Sequence, residues 1–157
     1  MTTPPIHLRL AVGSDLDAIL DLERATDLAP HWPPAAYAGI LETTAIQRCL
    51  FVAEKDDSLI GFAVGLLHPA ESNRVAELES VVVSANARRA GIGRALCRAV
   101  LDWSRSQGAS EVILEVRANS TSAVALYTSL GFTLSARRPH YYHDPDDDAL
   151  LLRLVLL

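Results

Sequence analysis

Arg88-Arg89-Ala90-Gly91-Ile92-Gly93 is the stretch of this chain whose residue types and spacing point most directly to chemistry. It joins a β-branched run, Val81-Val82-Val83, to a segment of helical spacing that continues from Arg94. The first N–H groups of a helix have no backbone acceptor, and the helix dipole places about half a positive charge beside them. Glycine lets such a backbone come close to an anion, so that several N–H groups converge on one phosphate. The turn therefore predicts a phosphorylated cofactor. A dinucleotide fingerprint needs a third glycine at position 96, which is Leu96, and a Walker A loop needs Gly-Lys-Ser/Thr in a chain whose one lysine is Lys55. Both readings fail.

Glu115 is the second residue with chemical promise. It stands inside Val112-Ile113-Leu114-Glu115-Val116, where an unpaired carboxylate is costly. Either it is ion-paired, to Arg117 or another arginine, or it is functional. Desolvation would raise its pKa and make it a better base near neutral pH. Glu77 and Glu79, just before the valine run, are its rivals, although solvation at a strand edge explains them equally well.

The elements that must position these groups follow from periodicity. Ile6–Val12 alternates as a strand, and Gly13-Ser14-Asp15 offers N-caps to a helix with Leu16, Ile19 and Leu20 on one face. Pro33 and Pro34 suit the first turn of a second short helix reaching about Leu41. Arg48–Glu54 and Leu59–Leu67 read as strands joined by a hairpin at Lys55-Asp56-Asp57-Ser58, and Glu77–Val83 as the next strand. Ile92, Leu96, Ala99, Val100 and Trp103 recur at helical spacing up to Gly108. Glu111–Val116 is a strand, and Ser120 or Thr121 caps a helix that carries Tyr127 and closes at Gly131. Phe132–Ala136 and Ala149–Leu156 are the last strands, joined by a polar loop that holds Tyr141, Tyr142 and several aspartates. Adjacent strands followed by strand–helix alternation imply a mixed sheet with helices on both faces.

The bulk properties narrow the class. At 157 residues, half of them hydrophobic, the chain reads as a single globular domain spanning residues 1–157. No apolar run reaches the roughly 18 residues of a membrane span, and Met1-Thr2-Thr3-Pro4-Pro5 does not read as a secretory signal. Cys49 and Cys97 are isolated, which suits buried thiols in a reducing compartment and makes the cytoplasm the expected location. A net charge of −5 argues against nucleic-acid binding. Against that background, the five arginines and single acid, Asp102, between Arg88 and Arg105 favour an anion site on the helix that follows the turn. His140 and His143 do not make a metal site, and none is expected.

Taken with what surrounds it, the turn is more specific. Arg88-Arg89-Ala90-Gly91-Ile92-Gly93 fits an Arg/Gln-x-x-Gly-x-Gly/Ala pattern, and Leu114-Glu115-Val116-Arg117-Ala118-Asn119, Ala125-Leu126-Tyr127-Thr128-Ser129-Leu130-Gly131-Phe132, Arg137-Arg138 and Tyr141-Tyr142 follow it in order. In these residues the chain resembles the GNAT acyltransferase superfamily, and within it the RimI-like enzymes that acetylate the N-terminal alanine of a ribosomal protein. The likeness runs from about Arg9 to Leu154 and is strongest from Val81 onward. It implies the GNAT fold, an α/β architecture with a central mixed, mostly antiparallel sheet of six to seven strands. It also implies acetyl-CoA as co-substrate, with the pyrophosphate on Arg88–Arg94 and the acetyl group and pantetheine along the backbone of Val81, Val82 and Val83.

The same resemblance makes Glu115 the proton acceptor, through water, and Tyr127 the general acid that protonates the departing thiolate. On spacing alone, Tyr127 beside Ala123 and Leu130 reads as core. Where RimI-like proteins carry an asparagine on CoA this chain has Ser120, with Asn119 one residue earlier. Trp32 sits where those proteins carry a Pro-Trp loop, and Tyr141 and Tyr142 match a substrate-contacting tyrosine pair. Ordinary loop packing is the alternative for the pair. Asp144, Asp146, Asp147 and Asp148 read as a solvated acidic turn, with attraction of a basic substrate as the second reading.

A magnitude bears on the acceptor. An α-amino group has a pKa near 7.7–8.0 and lysine one of about 10.4, so keeping lysine neutral at pH 7 costs roughly 3.5 kcal/mol more. A site with one glutamate and no evident device to lower a lysine pKa suits the N-terminal α-amine of a protein. A small-molecule amine or a lysine side chain is the alternative within the class, and a non-catalytic CoA-binding sensor the alternative outside it. No cysteine lies in either motif, so direct attack in a ternary complex is expected rather than an acyl-enzyme.

Overall fold

A computed structural model describes residues 5–26, 29–42, 47–88 and 90–156, and these form seven strands and four α-helices. The strand order is β1-β2-β3-β4-β5-β7-β6. Two compact units share it: Met1–Leu66 with Leu78–Trp103, and Leu67–Glu77 with Ser104–Leu157.

In the first unit β1 (His7–Leu10) pairs antiparallel with β2 (Arg48–Lys55), from His7↔Glu54 to Leu10↔Phe51. β2 pairs antiparallel with β3 (Ser58–Leu67) around Asp56 and Asp57, whose φ values of 52° and 60° are those of a two-residue hairpin turn. Aspartate tolerates that left-handed backbone better than most residues. α1 (Leu16–Arg24) and α2 (Pro34–Glu42) bury Ile19 and Tyr37 among Leu50, Val52, Phe62, Val64 and Val82. α2 begins at Pro34, where a missing N–H costs nothing. α3 (Ile92–Ser106) runs close over β3. A Cβ on Gly61 would stand 3.0 Å from the Val82 carbonyl, and one on Gly65 would stand 2.7 Å from Val100 Cγ1 and 2.9 Å from Cys49 Sγ. Glycine four residues apart on β3 is thus what lets the helix seat.

Asp15 ties β1 to the start of α1. Both of its oxygens accept from Arg9, at 2.8 and 2.9 Å, and Oδ2 also takes the Val12 N–H at 2.7 Å. The Arg9 bonds above all hold this carboxyl below the usual carboxylate range, against the opposing effect of burial. A depressed folded-state pKa contributes stability above the unfolded value, near 3.9, and that contribution is lost as pH falls through the folded value. Asp15→Asn is therefore expected to cost about 1–3 kcal/mol at pH 7 and to converge with the wild type as pH drops below about 4, measured by urea unfolding.

In the second unit the first residues of β4 (Val75–Val83) pair in parallel with β5 (Glu111–Arg117), from Val75↔Glu111 to Glu77↔Ile113. β5 pairs antiparallel with β7 (Asp147–Val155), and β7 with β6 (Thr133–Tyr142). One parallel pair makes the sheet mixed, as its α/β sequence pattern predicts. α4 (Thr121–Ser129) ends at Gly131, φ 104°, where the Phe132 N–H returns to the Tyr127 carbonyl at 3.1 Å.

β6 departs from the sequence reading. It continues through Tyr142, which pairs with Asp147, so the tyrosine pair ends a strand rather than riding a loop. Register shifts between Leu134 and Ala136, and between Arg138 and Tyr142, break the alternation that would have revealed the strand. Among the described residues no helix is long and apolar enough to cross a membrane.

Candidate active site

The Val81–Val83 run and the Arg/Gly turn after it lie in the first unit. Val82 is buried while Val81 and Val83 are half-buried. The pairing of β4 with β5 runs over Val75–Glu77, ahead of these valines. Beyond it, Ala85–Ala87 form one 3₁₀ turn, and Arg88 is extended with Nε 3.5 Å from the Val83 carbonyl. Arg89 lies outside the described residues. Ala90 and Gly91 are exposed; Gly91 has φ 78° and open space where a side chain would point. The first α-helical bond of α3 runs from the Ala95 N–H to the Gly91 carbonyl at 3.0 Å. Ile92 and Gly93 open the helix ahead of that bond, at the positions where a helix's first N–H groups have no i−4 carbonyl. A backbone of this form receives an anion without rearranging.

The second unit carries Glu115, Tyr127, Asn119, Ser120, Tyr141 and Tyr142. Here the burial premise for Glu115 is overturned. Val112 and Leu114 point to the buried face of β5, and Glu115 points the other way and is exposed. Its partner is Arg138, Nη1 to Oε1 3.6 Å, and not Arg117. Arg117 instead lies 4.4 Å over the ring of Tyr142 and donates to the Pro145 carbonyl at 2.9 Å. Arg138 covers the Tyr141 ring at 5.5 Å, and the two tyrosine rings meet edge to face at 5.1 Å. Glu115, Arg138, Tyr141, Tyr142 and Arg117 thus form one contiguous array. Burial, then the negative charge of Glu115, raises the Tyr142 phenol above its ordinary range.

Tyr127 is half-buried, with its ring edge-on to Phe132 at 5.9 Å between centroids. Ser120 stands at the N-cap of α4, but its hydroxyl caps nothing; the cap is its carbonyl, which accepts from the Val124 N–H at 2.9 Å. Asn119 is exposed and gives its N–H to Asp147 at 3.1 Å. Asp147 is therefore buried and structural rather than part of a solvated turn, and Asp148 is held below its usual range by the His140 N–H and by Arg137. Cys49 and Cys97 are buried, which pushes each thiol up to about 12. Neither is a nucleophile at neutral pH.

Among the rival carboxylates, Glu79 has both oxygens engaged by Arg48, at 3.0 and 3.2 Å, and little exposure. Glu77 lies 3.7 Å from His68. Trp32 packs on Tyr37, 5.4 Å between centroids, at the edge of the first unit's core. Behind it lie two polar groups that sequence reading passed over. Glu23 and Tyr37 are fully buried, and Glu23 Oε2 and the Tyr37 hydroxyl have no hydrogen-bond partner of ordinary length among the described residues. Burial, then the facing Glu23 carboxylate, raises the Tyr37 phenol. Glu23 falls one turn after Ile19 on the apolar face of α1, and that position was the available signal.

Comparison with known proteins decides the family. Residues 16–132 match the model of the Acetyltransferase (GNAT) family. The chain belongs to the GNAT family of acetyltransferases. Acetyl transfer from acetyl-CoA is the chemistry of that family. An uncharacterized protein of Mycobacterium leprae is 32% identical over 95% of this chain, which spans 40% of that protein's length. The N-alpha-acetyltransferase RimI of Mycobacterium tuberculosis is 30% identical over 96% of this chain and 93% of its own length. The crystal structure of the Escherichia coli ribosomal-protein-S18-alanine N-acetyltransferase superposes with a TM-score of 0.79 at 27% identity, covering 96% of this chain and 94% of that one.

Proposed function

We propose that this GNAT chain transfers acetyl from acetyl-CoA to the N-terminal α-amino group of a protein, a ribosomal protein with N-terminal alanine being the favoured acceptor. The observation that carries the reading is the near full-length likeness to N-alpha-acetyltransferases, joined to the Glu115–Arg138–Tyr141–Tyr142 array. In this reading CoA lies on Val81, Val82, Val83 and the turn from Arg88 through Arg89, Ala90, Gly91, Ile92, Gly93 and Arg94, with Asn119 or Ser120 beside it. Glu115 accepts the proton of the α-ammonium through a water, and the freed amine attacks the thioester carbonyl. Backbone N–H groups of Val81–Val83 hold the oxyanion, and Tyr127 protonates the thiolate as the tetrahedral intermediate collapses. Tyr141, Tyr142 and Trp32 receive the acceptor's first residues.

Glu115 is favoured over Glu79 because a carboxylate already gripped at both oxygens by a guanidinium is a poor proton acceptor. The reaction is set in the cytoplasm, where the two buried thiols stay reduced. The test is thiol release from acetyl-CoA with an Ala-Arg-starting peptide, the same peptide N-blocked with an internal lysine, and a polyamine. Turnover restricted to the free α-amine is expected. Activity on the lysine or the polyamine alone would overturn the assignment.

A further inference from the structure

Resting on the reading of Glu115 as the base, we propose that Arg138 is its resident counter-ion, and that the acceptor's ammonium takes its place on that carboxylate. The contact between them is loose by the standards of its own surroundings. In the same unit Arg137 holds Asp148 at 2.6 Å and Arg153 holds Glu111 at 2.6 Å, whereas Arg138 reaches one oxygen of Glu115 at 3.6 Å. The Arg138 side chain is 53% exposed and that of Glu115 31%, so water screens the pair and its dissociation costs little. Arg117, the other cation beside Tyr142, is committed to that ring and to the Pro145 carbonyl. Arg138 is therefore the cation at Glu115 that is free to yield.

It also has somewhere to go. The Tyr141 face lies 5.5 Å from its guanidinium, and a ring face holds a cation released from a carboxylate. Exchange of one cation for another keeps Glu115 paired at every stage. It also offers a cationic amine a site that a neutral or acylated N-terminus has no charge to claim. The exchange moves no covalent bond; the proton that Glu115 later accepts comes, through the bridging water, from the ammonium it has received.

Charge removal at Arg138 tests this. With Arg138→Met, which keeps the apolar stem, the KM for an Ala-starting peptide is expected to fall about two- to fivefold, because the acceptor no longer competes with a resident cation. KM for acetyl-CoA is expected to stay put. Raising salt from 50 to 300 mM, which shortens the Debye length from about 14 to about 6 Å, should weaken acceptor binding more steeply in the variant than in wild type. Arg138→Gln is a second charge-removing variant in case methionine disturbs β6, and Arg138→Lys should stay near wild type. In a Glu115→Gln background the effect of Arg138→Met on acceptor KM should vanish, a coupling that a merely structural arginine would not produce. An acceptor KM that is unchanged or raised in both charge-removing variants overturns the proposal. If Glu115→Gln alone keeps full kcat, the base assignment fails instead; if it loses kcat while the Arg138 variants leave KM unmoved, the counter-ion proposal alone fails.

Discussion

Replacing Tyr127 with phenylalanine is expected to lower kcat by about 100-fold or more while KM for acetyl-CoA moves less than about threefold. The substitution removes only the hydroxyl. The ring stays in its edge-on contact with Phe132, and the Tyr127 carbonyl still receives the Phe132 N–H that closes α4. Loss of one hydrogen-bonding group costs about 1 kcal/mol of stability, which does not unfold a domain. The reaction feels the change because a thiol of pKa near 8.5 leaves as its anion unless something hands it a proton. An acetyl thioester with a more acidic thiol needs that proton less, so the deficit of the variant should shrink with such a donor. Steady-state kinetics on both donors separate the roles. Parallel losses in kcat and in acetyl-CoA binding, equal for both donors, would make Tyr127 a packing residue.

The parts of this site that were legible in sequence are those built from local rules. The turn before α3 needs glycine at φ 78°, and the spacing of Ile92, Leu96 and Val100 on a buried helix face needs no knowledge of distant residues. Glu115 shows the limit of the same approach. A run of four apolar residues around one acid reads as a buried strand, yet the acid falls on the open face of β5 and meets Arg138 from β6, which pairs with β7, not β5. That partner is fixed by the register of two other pairings, 23 positions away in sequence, and no periodicity encodes it. β6 was foreshortened for a related reason: Pro139 and a left-handed His140, φ 51°, interrupt it, and its exposed face offers no hydrophobic alternation to read. Glu23 was passed over because a charged residue on an apolar helix face is usually surface, and burial at 2% exposure is a tertiary fact.

Glu115→Gln is expected to reduce kcat by about 100- to 10,000-fold, with KM for acetyl-CoA unchanged and stability within about 1 kcal/mol of wild type. The reasoning turns on the contrast with Glu79. Glutamine at 115 gives up one loose, exposed ion pair and leaves no buried charge behind, so the fold has little to lose. Glutamine at 79 breaks a two-point grip on Arg48 in a setting where the carboxylate side chain is 12% exposed and the guanidinium 30%. That variant should lose about 1–3 kcal/mol of stability while each folded molecule keeps its turnover. The two substitutions therefore move different observables, and unfolding curves beside initial rates tell them apart. A Glu79→Gln enzyme that folds as well as wild type but does not turn over would put the base on β4. Its proton would then have to reach a carboxylate that Arg48 already occupies, and Arg48 would have to let go first.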